Sequence, residues 1–307
     1  MRISGTRERS FYRRVTVGKV SRALDKAGAP IKPDENSFIP ADVTPRSRDA
    51  VVERKKVPGG TKTSPSPAPT VNTFEGWDER LVAASRNFSG VVESFRKLRT
   101  RILYPVEDDV PRSILIISAD AQEGKSFVCA NLGISLAHSV AQHALMIDCD
   151  LRRPSLAGLF GLDNNSRGLV DYLRGEEDFA RLVHGTGLPD LSIMPAGLPP
   201  DNPAELVSSE RMADLLNEAV NGYVDGFILL DCPPFQAVSE SAVLAQLVDK
   251  VVLVVRWGKA GRENVKKLVE QVGRDKIIGI VFNSFEMNIL DRKMQDVGYH
   301  NYYSEKY

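Results

Sequence analysis

An α/β fold with a mostly parallel sheet and helices on both of its faces is what this sequence predicts, and three observations predict it. Apolar runs such as ILIIS, FILLD and VVLVV are nearly continuous, as strands are when both faces of the sheet are covered. Segments with apolar residues at three- and four-residue steps alternate with those runs. Three strand ends also carry chemistry: Asp148-Cys149-Asp150-Leu151-Arg152, Asp231-Cys232-Pro233-Pro234, and a small-residue loop closing on Glu123-Gly124-Lys125-Ser126.

The third of these organises the chain. A strand, a tight loop and a helix start place Gly-Lys-Ser where the first helical amides are unpaired and face whatever sits in the loop, so residues 113–126 read as a phosphate seat. Lys125 is suited to neutralising β/γ-phosphate charge and the Ser126 hydroxyl to ligating Mg2+. Carboxylates at neighbouring strand ends, Asp148, Asp150 and Asp231, hold such an ion through water, and ligands in parallel sheets gather at these carboxyl ends. The parts fit ATP with magnesium. Helix capping or turn formation accounts for each aspartate singly, but not for all three following apolar strands of one sheet. The loop departs from G-x-x-x-x-G-K-[ST], since Ala119 stands at its first glycine.

Taken in order, residues 1–75 are poor in apolar periodicity and rich in Pro, Ser, Lys and Arg, which predicts a disordered linker or tail. Within it, Val20, Leu24 and Ala27 fall at helical spacing over 17–27, either a docking helix or a transient helix with no partner. From Trp77 the composition becomes that of a folded domain, over 76–296. Residues 89–103 predict a helix with Val92, Phe95, Leu98 and Ile102 on its inward stripe. Glu93, Arg96 and Arg99 share an adjoining face, which taken alone reads as a solvated face with one local ion pair. Beyond the phosphate loop the pattern predicts helices over 125–139, 203–220, 239–248 and 262–272, and strands over 144–148, 191–195, 226–231, 250–255 and 277–282.

Composition bounds the function classes. The 307 residues carry 42% hydrophobic and 26% charged side chains, enough for one sizeable core plus a tail. Forty Lys+Arg balance forty Asp+Glu, so no global field steers the chain to nucleic acid or acidic lipid. The sequence holds no apolar run of the ~20 residues that cross a bilayer and no secretory signal, which predicts a cytoplasmic protein. Cys129, Cys149 and Cys232 are odd in number and far apart, and read as reduced thiols lining a core.

SADAQEGKS, MIDCDLRRP, FILLDCPP and ESFRKLR resemble the motifs of the bacterial tyrosine autokinases of exopolysaccharide synthesis and export, especially the form associated with exosortase systems. The four are similar to that family's modified Walker A, its Walker A′ (D-x-D-x-R), its Walker B and its E-x-x-R-x-x-R oligomerisation motif. The resemblance covers about 77–307 and implies a P-loop NTPase architecture with the deviant Walker A shared by septum-positioning and partition ATPases.

It also implies roles. The loop residues Gln122, Glu123, Gly124, Lys125, Ser126 and Phe127 would cradle the nucleotide, with Asn283 on its adenine side. Ser126, Asp148 and Asp231 would serve Mg2+, and Asp148 would accept or orient the tyrosine hydroxyl proton. Asp150 would stand near the metal, and Arg152 near the phosphates or at a subunit contact. Glu93, Arg96 and Arg99 would hold a ring of copies, and the flexible tail over 297–307 would offer Tyr299, Tyr302, Tyr303 and Tyr307 as phosphoacceptors to a neighbour. Ala121-Gln122 stands where the family often has Pro-Gly, and Tyr299 suits packing on the domain surface as well.

Further implied partners are a transmembrane chain-length regulator on a separate chain, which activates the kinase and draws it to the inner membrane, and a tyrosine phosphatase. Two other readings stay open on the sequence: a non-kinase ATPase of the partition type, and an ATP-binding scaffold that regulates a polysaccharide export complex. The partition ATPases carry a lysine early in K-G-G-x-G-K-[ST], where this chain has Asp120-Ala121-Gln122.

Overall fold

The computed structural model describes residues 76–81, 90–105, 109–139 and 142–285, together with the backbone of 14–18. The strands are β1 (Arg14–Gly18), β2 (Ser113–Ser118), β3 (Ala144–Asp148), β4 (His184–Gly185), β5 (Leu191–Met194), β6 (Phe227–Asp231), β7 (Lys250–Arg256) and β8 (Ile277–Phe285). They form one sheet in the order β1-β8-β7-β2-β6-β3-β5-β4. Every inner pairing is parallel, and only the edge strands β1 and β4 run antiparallel to their neighbours.

The helices are α1 (Gly90–Leu103), α2 (Lys125–Ala137), α3 (Leu169–Arg174), α4 (Phe179–Leu182), α5 (Pro203–Val207), α6 (Glu210–Gly222), α7 (Glu240–Leu247) and α8 (Arg262–Val272). Strand side chains alternate between two cores. Ile114, Ile116, Met146, Leu229 and Val252 lie beneath α1 and α2, while Leu115, Ile117, Ile147, Leu230 and Val251 meet Leu169, Met212, Leu215, Leu244 and Leu268 on the other face. That double burial is why the strand sequences show no polar alternation.

Several expectations need correction. The helix expected over 203–220 is two, because Ser208 caps α5 and Ser209 restarts the chain in extended conformation, its hydroxyl bonded to Leu206 O at 2.7 Å. The stripe of α1 buries Val91 rather than Val92, with Phe95, Leu98 and Ile102 as expected. Within the expected tail, Arg14–Gly18 is a strand paired antiparallel with β8. Its three consecutive β-branched residues, Val15, Thr16 and Val17, favour extended backbone, and it overlaps the possible helix over 17–27 only at Val17 and Gly18. The rest of 17–27 lies outside the described residues.

Trp77 marks the start of the packed domain. It is buried, stands edge-on to Phe160 at 4.8 Å, and donates its indole N–H to Thr186 O at 3.0 Å. The three cysteines are free and buried, as the sequence suggested. Among the described residues no helix is long and apolar enough to cross a membrane.

Candidate active site

The loop between β2 and α2 is held from behind by its own side chains and by β7 and β8. Ser118 Oγ donates to Asp120 O at 2.7 Å, closing the turn out of β2. Glu123, only 2% exposed, folds its carboxylate back to accept Asp120 N at 3.0 Å and Arg256 N at 3.2 Å. Burial raises the Glu123 pKa against those two bonds. The Asn283 side-chain amide donates to Glu123 O at 2.7 Å, and its carbonyl accepts Ser284 N at 2.9 Å. Expected on the adenine side, Asn283 thus spends its amide on the phosphate loop.

Gly124 is the position that needs glycine. Its φ is +94°, and a Cβ there would stand 2.0 Å from Asn283 Nδ2. Gln122 takes φ +60° without being glycine, and Arg256 Nη1 donates to its carbonyl at 3.2 Å. Asp120 accepts the Asn264 side-chain amide at 2.9 Å, which ties the loop to α8. The first bond within α2 runs from Val128 N to Gly124 O at 3.0 Å, so the amides of Lys125, Ser126 and Phe127 precede the helical ladder. Lys125 is 7% exposed, and Phe127 is half-buried with its carbonyl accepting the Asn131 amide.

Sheet register brings the acidic strand ends together. Asp231 on β6 pairs with Asp148 on β3, and on its other side with Ile116 of β2, just before the phosphate loop. Their surroundings differ. Asp148 is fully buried and accepts three backbone amides: Asp150 N at 3.1 Å, Ser155 N at 3.0 Å and Leu156 N at 2.9 Å. Asp231 is 1% exposed, and among the described residues neither of its oxygens has a hydrogen-bond partner.

Burial pushes Asp231 up to about 7, with the Asp150 charge adding to it and the Ser126 hydroxyl and Lys125 charge opposing it. Burial, and then the Asp231 charge, raises Asp148 well above the ordinary carboxylate range. Asp150 is half-buried, raised by burial, and accepts Arg153 N at 3.1 Å.

A buried carboxylate without a partner, beside a buried lysine and a serine hydroxyl, is a donor set that suits a hard cation. Among the described residues no three His, Cys, Asp or Glu side chains form a metal cage. The residues therefore fit Mg2+ shared with phosphates and water rather than a protein-enclosed ion.

Other expected residues also have protein partners of their own. Arg152 Nε donates to Glu240 Oε1 at 3.0 Å, and Ser126 Oγ lies 2.9 Å from Ser155 Oγ. On α1, Arg96 and Glu93 form a half-exposed pair at 3.7 Å, whereas Arg99 Nη1 donates to Ser135 O at 2.6 Å in the last turn of α2. Tyr299, Tyr302, Tyr303 and Tyr307 lie outside the described residues. Glu240, Ser155, Arg256 and Asn264 are residues around the site that sequence reasoning missed, because none belongs to a spaced motif, whereas Asp120 lies within SADAQEGKS but was given no role there.

A helix-opening phosphate loop with two acidic strand ends side by side next to it defines a P-loop nucleotide-binding protein. No protein-family model matches the chain. It is 32% identical over 220 residues to the putative tyrosine-protein kinase CapB of Staphylococcus aureus, which covers 71% of this chain and 92% of CapB. To the tyrosine-protein kinase YwqD of Bacillus subtilis it is 32% identical over 210 residues, 68% of this chain and 85% of YwqD. Of the longer tyrosine-protein kinase wzc of Salmonella typhi it spans 30%. The kinase domain of the Escherichia coli tyrosine kinase ETK superposes with TM-score 0.60 at 30% identity, over 65% of this chain and 77% of that one. The chain belongs to the bacterial tyrosine-protein kinases and is a protein-tyrosine kinase.

Proposed function

We propose that this kinase transfers the γ-phosphate of ATP to tyrosines of its own C-terminus, Tyr299, Tyr302, Tyr303 or Tyr307, on a neighbouring copy. The observation that carries the reading is the unpartnered, buried carboxylate of Asp231 beside Lys125 and the start of α2. Lys125 and the amides opening α2 bind and neutralise the phosphates. Ser126 and Asp231 hold Mg2+, which when bound spreads the charge developing on the transferred group.

Asp150 orients the tyrosine hydroxyl. That task was expected of Asp148, but Asp148 is fully buried and its carboxylate holds the backbone of 150–156 instead, so it shapes the site from beneath. A raised pKa at Asp150 favours brief acceptance of the hydroxyl proton, although phosphoryl transfer depends mainly on positioning.

Glu93 and Arg96 present charge for contact between copies, and Arg99 fastens their helix to α2. Each phosphate adds roughly −1.5 to −2 charges near pH 7, so crowded tails loosen the assembly. A membrane-spanning chain-length regulator of polysaccharide export, of the exosortase-associated kind, supplies activation and anchorage, and a tyrosine phosphatase resets the tails.

Intact-mass analysis of the full chain with Mg-ATP, beside Lys125→Ala and a chain ending at Gly298, tests the reading. Phosphates on the wild type that vanish in both variants support it. ADP release without added mass, with the regulator's cytoplasmic peptide present, overturns it.

A further inference from the structure

The loop that leaves β3 and the start of α7 are joined by one ion pair. Arg152, two residues after Asp150, donates its Nε to Oε1 of Glu240, the first residue of α7, at 3.0 Å. The two ends of the contact differ sharply in exposure. The Glu240 side chain is 2% exposed, whereas that of Arg152 is 50% exposed. A carboxylate this buried is unfavourable unless it is paired, and among the described residues its other oxygen has only Ser239 Oγ at 3.5 Å. Arg152 is therefore the partner that keeps Glu240 in place, and Glu240 in turn fixes the direction of the guanidinium.

The edge by which the arginine is held matters. A guanidinium offers five donors in a rigid planar fork, and holding it at Nε leaves the terminal Nη groups as a pair of donors matched to oxyanions. The Arg152 side chain is half exposed and follows Asp148 and Asp150 in sequence, at the carboxyl end of the sheet where the phosphate loop also opens.

We propose that Glu240 is a positioning residue for phosphoryl transfer: it clamps Arg152 by its Nε edge and so presents the terminal guanidinium N–H groups to the phosphoryl oxygens of the nucleotide. The inference rests on the reading of this site as the place of phosphoryl transfer. It adds a residue that no motif contains and gives the arginine of D-x-D-x-R a stated orientation. A lysine at 152 would carry the charge without the fork, so charge alone does not replace it.

A double-mutant cycle on the full chain with Mg-ATP tests this, read as the initial rate of phosphotyrosine formation, nucleotide affinity and melting temperature. Arg152→Ala is expected to slow the reaction by about a hundredfold, the scale of losing one charge-stabilising donor group. Glu240→Gln is expected to slow it by about tenfold, the scale of losing an outer partner, with folding and nucleotide affinity retained. In an Arg152→Ala background Glu240→Gln should have no further effect, and Arg152→Lys should stay slow.

A lowered melting temperature with an unchanged rate in Glu240→Gln would make the pair a structural staple and overturn the proposal. So would an equal slowing in the presence and absence of Arg152. If Arg152→Ala alone reacts at the wild-type rate, the clamp has nothing to position and the proposal falls, while an inactive Lys125→Ala in the same assay would leave the kinase site itself standing.

Discussion

The Asn283 side-chain amide and the Glu123 carbonyl meet at 2.7 Å, so the last strand of the sheet closes the phosphate loop from behind. That bond occupies the space in which a side chain at position 124 would lie. Gly124→Ala therefore meets two obstacles, a positive φ of +94° and a Cβ 2.0 Å from Asn283 Nδ2. The backbone obstacle alone is worth about 1–2 kcal/mol. Nucleotide binding should be lost in Gly124→Ala by titration calorimetry and regained only in part by adding Asn283→Ala, which opens the space but leaves the φ.

Asp231 should trade stability for function. Its pKa in the folded protein, about 7, lies above the ordinary carboxylate value, so the folded state binds more protons than the unfolded state between those limits. Stability of the metal-free protein should fall as pH rises from about 4 to about 7, the window between the unfolded and folded values. Thermal melts of wild type and Asp231→Asn across this range should show a flatter profile for the variant and a higher melting temperature above pH 7. The same variant should form no phosphotyrosine.

The two arginines of α1 should separate cleanly. Arg99 donates to Ser135 O inside the fold, a charge-assisted bond whose loss costs about 1.5–3 kcal/mol. Arg96 and Glu93 are both 49% exposed and 3.7 Å apart, a pair contributing little to stability. Arg99→Ala should lower the melting temperature of the isolated chain. Arg96→Ala should leave it unchanged and alter only the mass distribution seen by light scattering.

Trp77 anchors the beginning of the domain. Replacing it by Ala removes the edge contact with Phe160 and the bond to Thr186 O, a change on the scale of about 3–5 kcal/mol for a buried aromatic. Urea unfolding of Trp77→Ala should show the lowered midpoint. An unchanged midpoint would place the boundary of the cooperative unit after this residue.

Much of this molecule could be read along the chain. Continuous apolar runs reported strands buried on both faces, and the Gly-Lys-Ser loop with Asp148 and Asp231 at strand ends reported a nucleotide site. What went unread lay where long-range contacts override local pattern. The segment from 157 to 188 forms short elements without helical or strand periodicity, and the Ser208-Ser209 break depends on a hydroxyl reaching back one turn. Arg99 shows the same limit: spacing placed it on an outer face beside Arg96, but its long side chain reaches across to α2.

The sequence by itself determined the class of fold and the residue types of the site, because periodicity and strand-end motifs are local properties of the chain. The tertiary structure alone decided how those residues divide their work. Parallel register set Asp231 against Asp148, backbone amides folding over one and not the other made Asp148 a support and left Asp231 unpartnered, and the approach of α7 gave Arg152 a buried acid. Each outcome depends on which groups from distant segments exclude water from a given oxygen, and that is a property of packing rather than of residue order.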